Sequence, residues 1–167
     1  MMDETRFRAF YQEMLPRLWR YVHRLVTDRS ECDDVVQESF LRFLRSAKAN
    51  LGDSDQRSYL YRIATNLVRD AWRDKKSEEK WLLEQGEDEP TSETESVMTA
   101  GIDITRALAT LSPGQRSMVW LAYVEGYEHK EIAEIVGVKP ASVRVLLMRA
   151  RKRLADILTE DQDRDSR

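Results

Sequence analysis

The sequence predicts an all-α protein made of two small helical domains joined by a flexible acidic linker, and three observations carry that prediction. Apolar residues recur at three- and four-residue intervals, and no stretch alternates as a half-buried strand does. Gly (6) and Pro (4) are too scarce for the many turns of a sandwich or barrel. Between two apolar blocks, the stretch Glu84–Ser96 holds no apolar residue and cannot offset its own ordering entropy by burial. The alternative is a long surface loop inside one domain, and loops of that length are uncommon. The divisions that follow are a first domain at 1–76, a linker at 77–103, a second domain at 104–160 and a disordered tail at 161–167.

In the first domain Phe7, Phe10, Met14, Leu18, Val22 and Leu25 mark a helix that Pro16 should kink or restart. A second helix begins near Ser30, with acids in its first turn where the helix dipole favours them. Val35, Val36, Phe40, Leu41, Phe43 and Leu44 form its apolar side. Residues 50–55 read as a loop, and Tyr59, Leu60, Ile63, Ala64, Leu67, Val68 and Trp72 mark a third helix.

The second domain opens with a short helix from Ile104 to Leu111. Ser112 as N-cap, Pro113 at the first helical position and Gln115 then form a capping box for a helix ending at Gly126. Glu128 to Val136 is a short helix ended by Gly137, which suits the left-handed position. Pro140 starts a last helix carrying Val143, Leu146, Leu147, Ala150 and Leu154. A short helix, a glycine turn and a longer basic helix make a helix-turn-helix.

Chemistry is narrowed by what the chain holds in small number. One cysteine, Cys32, excludes an internal disulfide and multi-cysteine zinc sites, and His23 and His129 are the only histidines. No phosphate-cradling glycine loop or paired-acid cleft signature appears. The expectation is a protein that is no enzyme and needs no metal or cofactor. No window approaches the ~18 apolar residues of a membrane span, and no charged-then-apolar leader opens the sequence. A cytoplasmic protein with no membrane insertion is therefore expected.

Charge is unevenly spread beneath a net value of −3. Residues 1–76 carry 15 basic and 12 acidic side chains, 77–104 carry one against nine, and 105–158 carry nine against five. Two basic blocks flank an acidic one. On the last helix Lys139, Arg144, Arg149, Arg151, Lys152 and Arg153 meet no acid until Asp156. An ordinary solvated face mixes signs because like charges repel at helical spacing; one-signed charge suits phosphate contact and groove entry.

On the third helix Arg62, Asn66, Arg69 and Arg73 stand four, three and four residues apart, with Tyr59 and Tyr61 at its start. Arginines beside aromatics suit single-stranded DNA, neutralising backbone and stacking bases. Core packing is the competing role for Tyr59. On the second helix Asp33, Asp34, Gln37 and Glu38 form a polar arc opposite Val36 and Phe40, which by itself need only complement the dipole.

Cys32-Asp-Asp-Val-Val-Gln-Glu-Ser-Phe-Leu-Arg42 resembles the polymerase-binding helix of sigma region 2, and Tyr59-Leu-Tyr-Arg-Ile-Ala-Thr-Asn66 its promoter-melting helix. Leu111-Ser-Pro-Gly-Gln-Arg116, Glu131-Ile-Ala-Glu134 and Val143-Arg144 with Arg149-Ala-Arg-Lys-Arg-Leu154 are similar to sigma region 4. In this order and spacing they resemble the extracytoplasmic-function (group IV) sigma factors, over nearly the whole chain.

The resemblance implies a region 2 bundle and a region 4 helix-turn-helix that give core RNA polymerase its promoter specificity. Asp33, Asp34, Gln37 and Glu38 would dock the clamp helices of the largest subunit, and region 4 the flap of the second-largest. Tyr59, Tyr61, Arg62, Asn66, Arg69 and Arg73 would hold the unpaired minus-ten strand. Lys139, Ser142, Arg144, Arg149, Arg151 and Arg153 would meet the minus-thirty-five duplex. Promoter DNA and an anti-sigma factor are the further implied partners.

Two positions depart from the family pattern. Tyr59 stands where Trp is usual. Ala141-Ser-Val-Arg-Val-Leu146 stands where Gly-Thr-Val-Lys-Ser-Arg is frequent, so a leucine replaces an arginine expected to face DNA. That leaves Ser142 and Arg144, near the helix start, as the base-reading candidates. The alternative from another class is a stand-alone helix-turn-helix regulator, which would bind DNA alone as a dimer.

The linker's acidity suggests a strand able to lie in the basic channel that RNA later occupies. Replacing Glu87, Asp88, Glu89, Glu93 and Glu95 by Ser is expected to leave both domains folded but weaken holoenzyme assembly or alter early RNA release. Abortive and full-length transcript yields measure it, and unchanged yields would reduce the segment to a tether.

Overall fold

The computed structural model describes residues 2–46, 49, 52–75, 81–82 and 105–166. Among these, every regular element is helical: α1 Glu4–Leu25, α2 Arg29–Arg45, α3 Asp53–Lys75, a short helical segment at 105–109, α4 Pro113–Tyr123, α5 His129–Val136 and α6 Pro140–Asp165.

Local chemistry explains the boundaries. Asp3 caps α1 by accepting the Arg6 amide at 2.8 Å, and Asp28 caps α2 by accepting that of Glu31 at 3.0 Å. The second helix thus starts just ahead of Ser30. The Ser112–Gln115 capping box forms as expected. Gly126 and Gly137 take φ of +75° and +77°, where a β-carbon would strain the backbone.

Three expectations are corrected. Pro16 lies inside α1 and does not restart it; Met14 and Leu18 on either side are buried in the same core. The third helix begins at Asp53, inside the stretch read as loop, with acids in its first turn. The last helix runs to Asp165, through most of the tail expected to be disordered; hydroxyl bonds from Thr159 to the Ala155 carbonyl and from Ser166 to that of Gln162 accompany its final turns.

α1, α2 and α3 pack on one another around Met14, Leu18, Val22, Phe43 and Leu60, with Phe10 stacked on Phe43 at 4.9 Å. α4, α5 and α6 pack around Met118, Leu121, Ile132, Ile135, Val143 and Leu147. The two units also meet, α1 against α4 and α3 against α5, so their apolar interiors join into one core.

Trp81 and Leu82 correct the linker assignment. They lie within 77–103, yet Trp81 is fully buried, its ring edge-on to Trp72 at 5.9 Å. The Ser112 hydroxyl donates to the Leu82 carbonyl at 2.8 Å. A β-carbon on Gly114 would come within 2.7 Å of the Trp81 carbonyl, so glycine is what lets this strap lie on the start of α4. A buried indole outweighs the charge around it. The rest of the linker, including the acidic run Glu84–Ser96, lies outside the described residues.

Trp81→Ala should therefore destabilise the fold by about 3–5 kcal/mol, as expected for a buried tryptophan. Chemical denaturation checks it. A loss below about 1 kcal/mol would mean the strap is not part of the core.

Candidate nucleic-acid interface

α6 buries Val143, Leu146, Leu147 and Ala150 and turns its opposite face outward. Lys139, Arg144, Arg149 and Arg151 are exposed there, whereas Ser142 and Arg153 are half-buried at its margins. Leu146 is a core residue, 7% exposed, so the arginine-to-leucine departure places no leucine on the outward surface. Sequence reasoning missed Val145 and Met148, which are 42% and 57% exposed between the arginines. Their phase, off the Val143–Leu147–Ala150 period, was the available signal.

The α3 stripe is divided. Arg62, Asn66 and Arg73 are exposed, and Tyr59 is half-buried with its ring 6.3 Å from Phe43. Tyr61 and Arg69 are buried. Arg69 Nη1 donates to the Val136 carbonyl at 2.6 Å, capping the negative end of α5. A β-carbon on Gly137 would lie 3.2 Å from that same Nη1, so the left-handed glycine also leaves room for the arginine. Tyr59 and Arg62 line a cleft with Asp55 and Ser58, closed on its far side by Glu131, Glu134 and Ile135 of α5. Of the stretch read as a loop, residues 50 and 51 lie outside the described residues; Gln56, buried, ties Ala49 to α3 by donating to the Ala49 carbonyl at 2.6 Å.

Further polar contacts join the two units. Arg116 of α4 donates to the Arg24 carbonyl at the end of α1 at 2.8 Å, and the Arg24 guanidinium lies 5.4 Å from the Trp120 ring centre. Thr65 commits its hydroxyl proton to the Tyr61 carbonyl at 2.7 Å. Tyr21 must then donate to Thr65 Oγ1, at 2.6 Å, and accept from Ser117, a directed chain across the junction. Arg17 pairs with Glu125, whose side chain is only 4% exposed. Burial lowers the Arg17 pKa, but the bond to Glu125 and its charge outweigh that and raise it. Tyr61 lies edge-on to Tyr21 and Tyr127, at 5.1 and 5.9 Å. Burial and the Glu125 charge push the phenols of Tyr21 and Tyr127 up to about 12 and that of Tyr61 further, so all three stay neutral.

On α2, Asp33, Asp34 and Gln37 are exposed and Glu38 is half-buried. Asp33 accepts the Trp19 indole N–H at 2.8 Å, and Glu38 pairs with Arg42 at 2.9 Å. Leu41 and Leu44, expected on the apolar side, are 46% and 42% exposed and continue the line of Asp34 and Gln37. Cys32 is buried, its thiol pushed up to about 12 by burial and the Asp33 charge, so it is no nucleophile. His23 stacks on Trp19 at 4.6 Å, and His129 is exposed. Among the described residues no acid, His and Cys cluster could hold a metal, and no helix is long and apolar enough to cross a membrane.

The Sigma-70 region 2 family model matches residues 10–78, and Sigma-70 region 4 matches residues 102–154. The ECF RNA polymerase sigma factor SigL of Mycobacterium tuberculosis is 30% identical over 158 residues, covering 92% of this chain and 89% of that protein. The chain belongs to the ECF sigma factors of the sigma-70 family. The sigma factor CarQ of Myxococcus xanthus is 26% identical, covering 92% of this chain and 90% of its own. In fold, this sigma factor resembles RpoE from Bartonella quintana, solved with the anti-sigma factor NepR (TM-score 0.67, 22% identity, 91% and 98% of the two chains covered). It also resembles CnrH, solved with the cytosolic domain of CnrY (TM-score 0.64, 21% identity, 95% and 91% covered). It is an alternative sigma factor that directs transcription initiation, and the stand-alone regulator is not favoured.

Arg17→Ala leaves the Glu125 carboxylate without its cation, at about 1–3 kcal/mol for a stranded buried group. The expected result is a lower midpoint of thermal unfolding that Glu125→Gln, added to it, largely restores. Additive losses in the double-mutant cycle would show that the pair is not coupled.

Proposed function

We propose that this sigma factor engages core RNA polymerase through Asp33, Asp34, Gln37 and Glu38 against the clamp helices of the largest subunit, with its second unit on the flap of the second-largest. Tyr59, Tyr61, Arg62, Asn66, Arg69 and Arg73 then hold the unpaired minus-ten strand, and Lys139, Ser142, Arg144, Arg149, Arg151 and Arg153 meet the minus-thirty-five duplex. Residues 1–76 and 104–160 act as the functional units, with Trp81 and Leu82 of the intervening segment packed into their shared core. The protein acts in the cytoplasm and catalyses no reaction of its own. The observation carrying this reading is the outward face of α6, cationic and without an acid before Asp156, in a chain whose α3 bears a second basic stripe.

The closed junction supports a further step. Tyr61 and Arg69 cannot reach a DNA strand while α5 lies against α3, and Glu131 and Glu134 line the cleft that Arg62 shares. Polymerase binding must separate the units before the minus-ten strand is held. An anti-sigma protein that keeps them together is the matching regulator; RpoE, which this chain resembles in fold, was solved in complex with an anti-sigma factor.

Run-off transcription with and without core polymerase tests the reading. Transcripts should appear only with the polymerase, and Asp34→Lys with Glu38→Lys should weaken core binding while circular dichroism stays unchanged. Tight, sequence-specific dimeric binding to duplex DNA without polymerase would overturn it.

Within α6, Arg144→Ala should relax preference at one base position, a loss of about 1–3 kcal/mol. Arg149→Ala should weaken all sequences alike and lower the salt slope by about one. Identical effects from the two would refute these assignments.

A further inference from the structure

We propose that Val145 and Met148 read thymine methyl groups on the floor of the upstream duplex element. The inference rests on the placement of α6 in the major groove proposed above. It begins from burial. With Val143, Leu146, Leu147 and Ala150 turned inward, the midline of the outward face runs through Ala141, Val145, Met148 and Lys152, spaced four, three and four residues apart and all exposed. Val145 is 42% and Met148 57% exposed. Arg144 and Arg151 lie along one edge of that line and Arg149 along the other, all exposed.

A single exposed apolar side chain needs no explanation. Two in succession on the midline, framed by cations on both edges, define a more selective surface. Its complement is a polyanion with apolar groups recessed between two rows of negative charge. A second copy of the same face would set these cations against one another. The major groove of duplex DNA fits: phosphates line its edges, and thymine alone presents a methyl group on its floor. The edge arginines meet phosphate or outer bases while Val145 and Met148 meet the floor. Opposite G·C, the same side chains would strip water from the groove's hydrogen-bonding atoms and return no partner, a cost that discriminates against it.

The probe is a duplex library randomised over the upstream element, selected by holoenzyme reconstituted from the full chain and core polymerase. A parallel library carries deoxyuridine in place of thymidine, which removes only the methyl group. Wild-type holoenzyme should enrich thymine at one or two neighbouring positions, by about fourfold for each buried methyl. That enrichment should vanish in the deoxyuridine library while preferences elsewhere persist. Val145→Ser with Met148→Ser should lose the thymine preference in the ordinary library, and Val145→Ile should keep it. Equal enrichment of thymine and uridine would overturn the inference and assign those positions to hydrogen bonding or duplex shape. So would a double variant that keeps its thymine preference but loses self-association shown by the wild type, since the patch would then seat a second copy. An enriched element without methyl dependence sinks this inference alone. Absence of any enriched upstream element sinks the placement of α6 beneath it.

Discussion

The junction between the two units depends on an exchange of arginines between helix ends. Arg69 of α3 caps α5 at Val136, and Arg116 of α4 caps α1 at Arg24. Buried terminal carbonyls left without a donor would each cost about 1–3 kcal/mol, so contact between the units requires these partners. Both arginines are themselves almost wholly buried, at 7% and 4% exposed, and these donations to buried carbonyls help offset the cost, as does the bond from Arg116 Nε to the Leu111 carbonyl at 3.2 Å. Gly137 belongs to the same device: its left-handed backbone ends α5 and its missing β-carbon admits the Arg69 guanidinium. These polar contacts differ in one respect from the apolar core that the two units share. Water can replace each hydrogen bond on separation, and the net value of one in water is only about 0.5–1.5 kcal/mol. The polar part of the junction therefore fixes how the units meet more than it holds them shut.

The elements themselves were legible because helical signals are local. Periodicity marked the long helices, and the capping box at Ser112 and the glycine at 137 fixed two ends within the second unit. What was not legible is tertiary. Arg69 shares its helical face with Arg62, Asn66 and Arg73, as the spacing indicated, and its burial comes from α5 landing on one part of that face. No pattern within α3 encodes where a helix sixty residues further on will settle. Trp81 was lost in the opposite way: one indole inside an acidic segment, whose burial depends on Gly114 far along the chain. At Leu146 the family comparison expects an arginine facing DNA, while the residue's own phase with Val143, Leu147 and Ala150 already placed it inside.

Closure does not mask every candidate surface. Asp34 and Gln37 on α2 remain exposed, and so does the cationic outer face of α6. The α3 stripe alone is obstructed, through burial of Tyr61 and Arg69 and through the acidic side of the cleft lined by Glu131 and Glu134. Under the proposed reading these inequalities impose an order. Polymerase can reach its docking arc on the closed protein, and α6 can meet duplex DNA. The surface that would stabilise an unpaired strand stays incomplete until the units part, with Arg62, Asn66 and Arg73 open and Tyr61 and Arg69 covered. A free sigma factor whose stripe were permanently open would hold exposed arginines and tyrosines able to capture any single-stranded nucleic acid, since stacking and backbone neutralisation are tolerant of sequence. On that reading, covering Tyr61 and Arg69 while leaving the more selective surfaces accessible would confine strand capture to the complex in which the promoter has already been found.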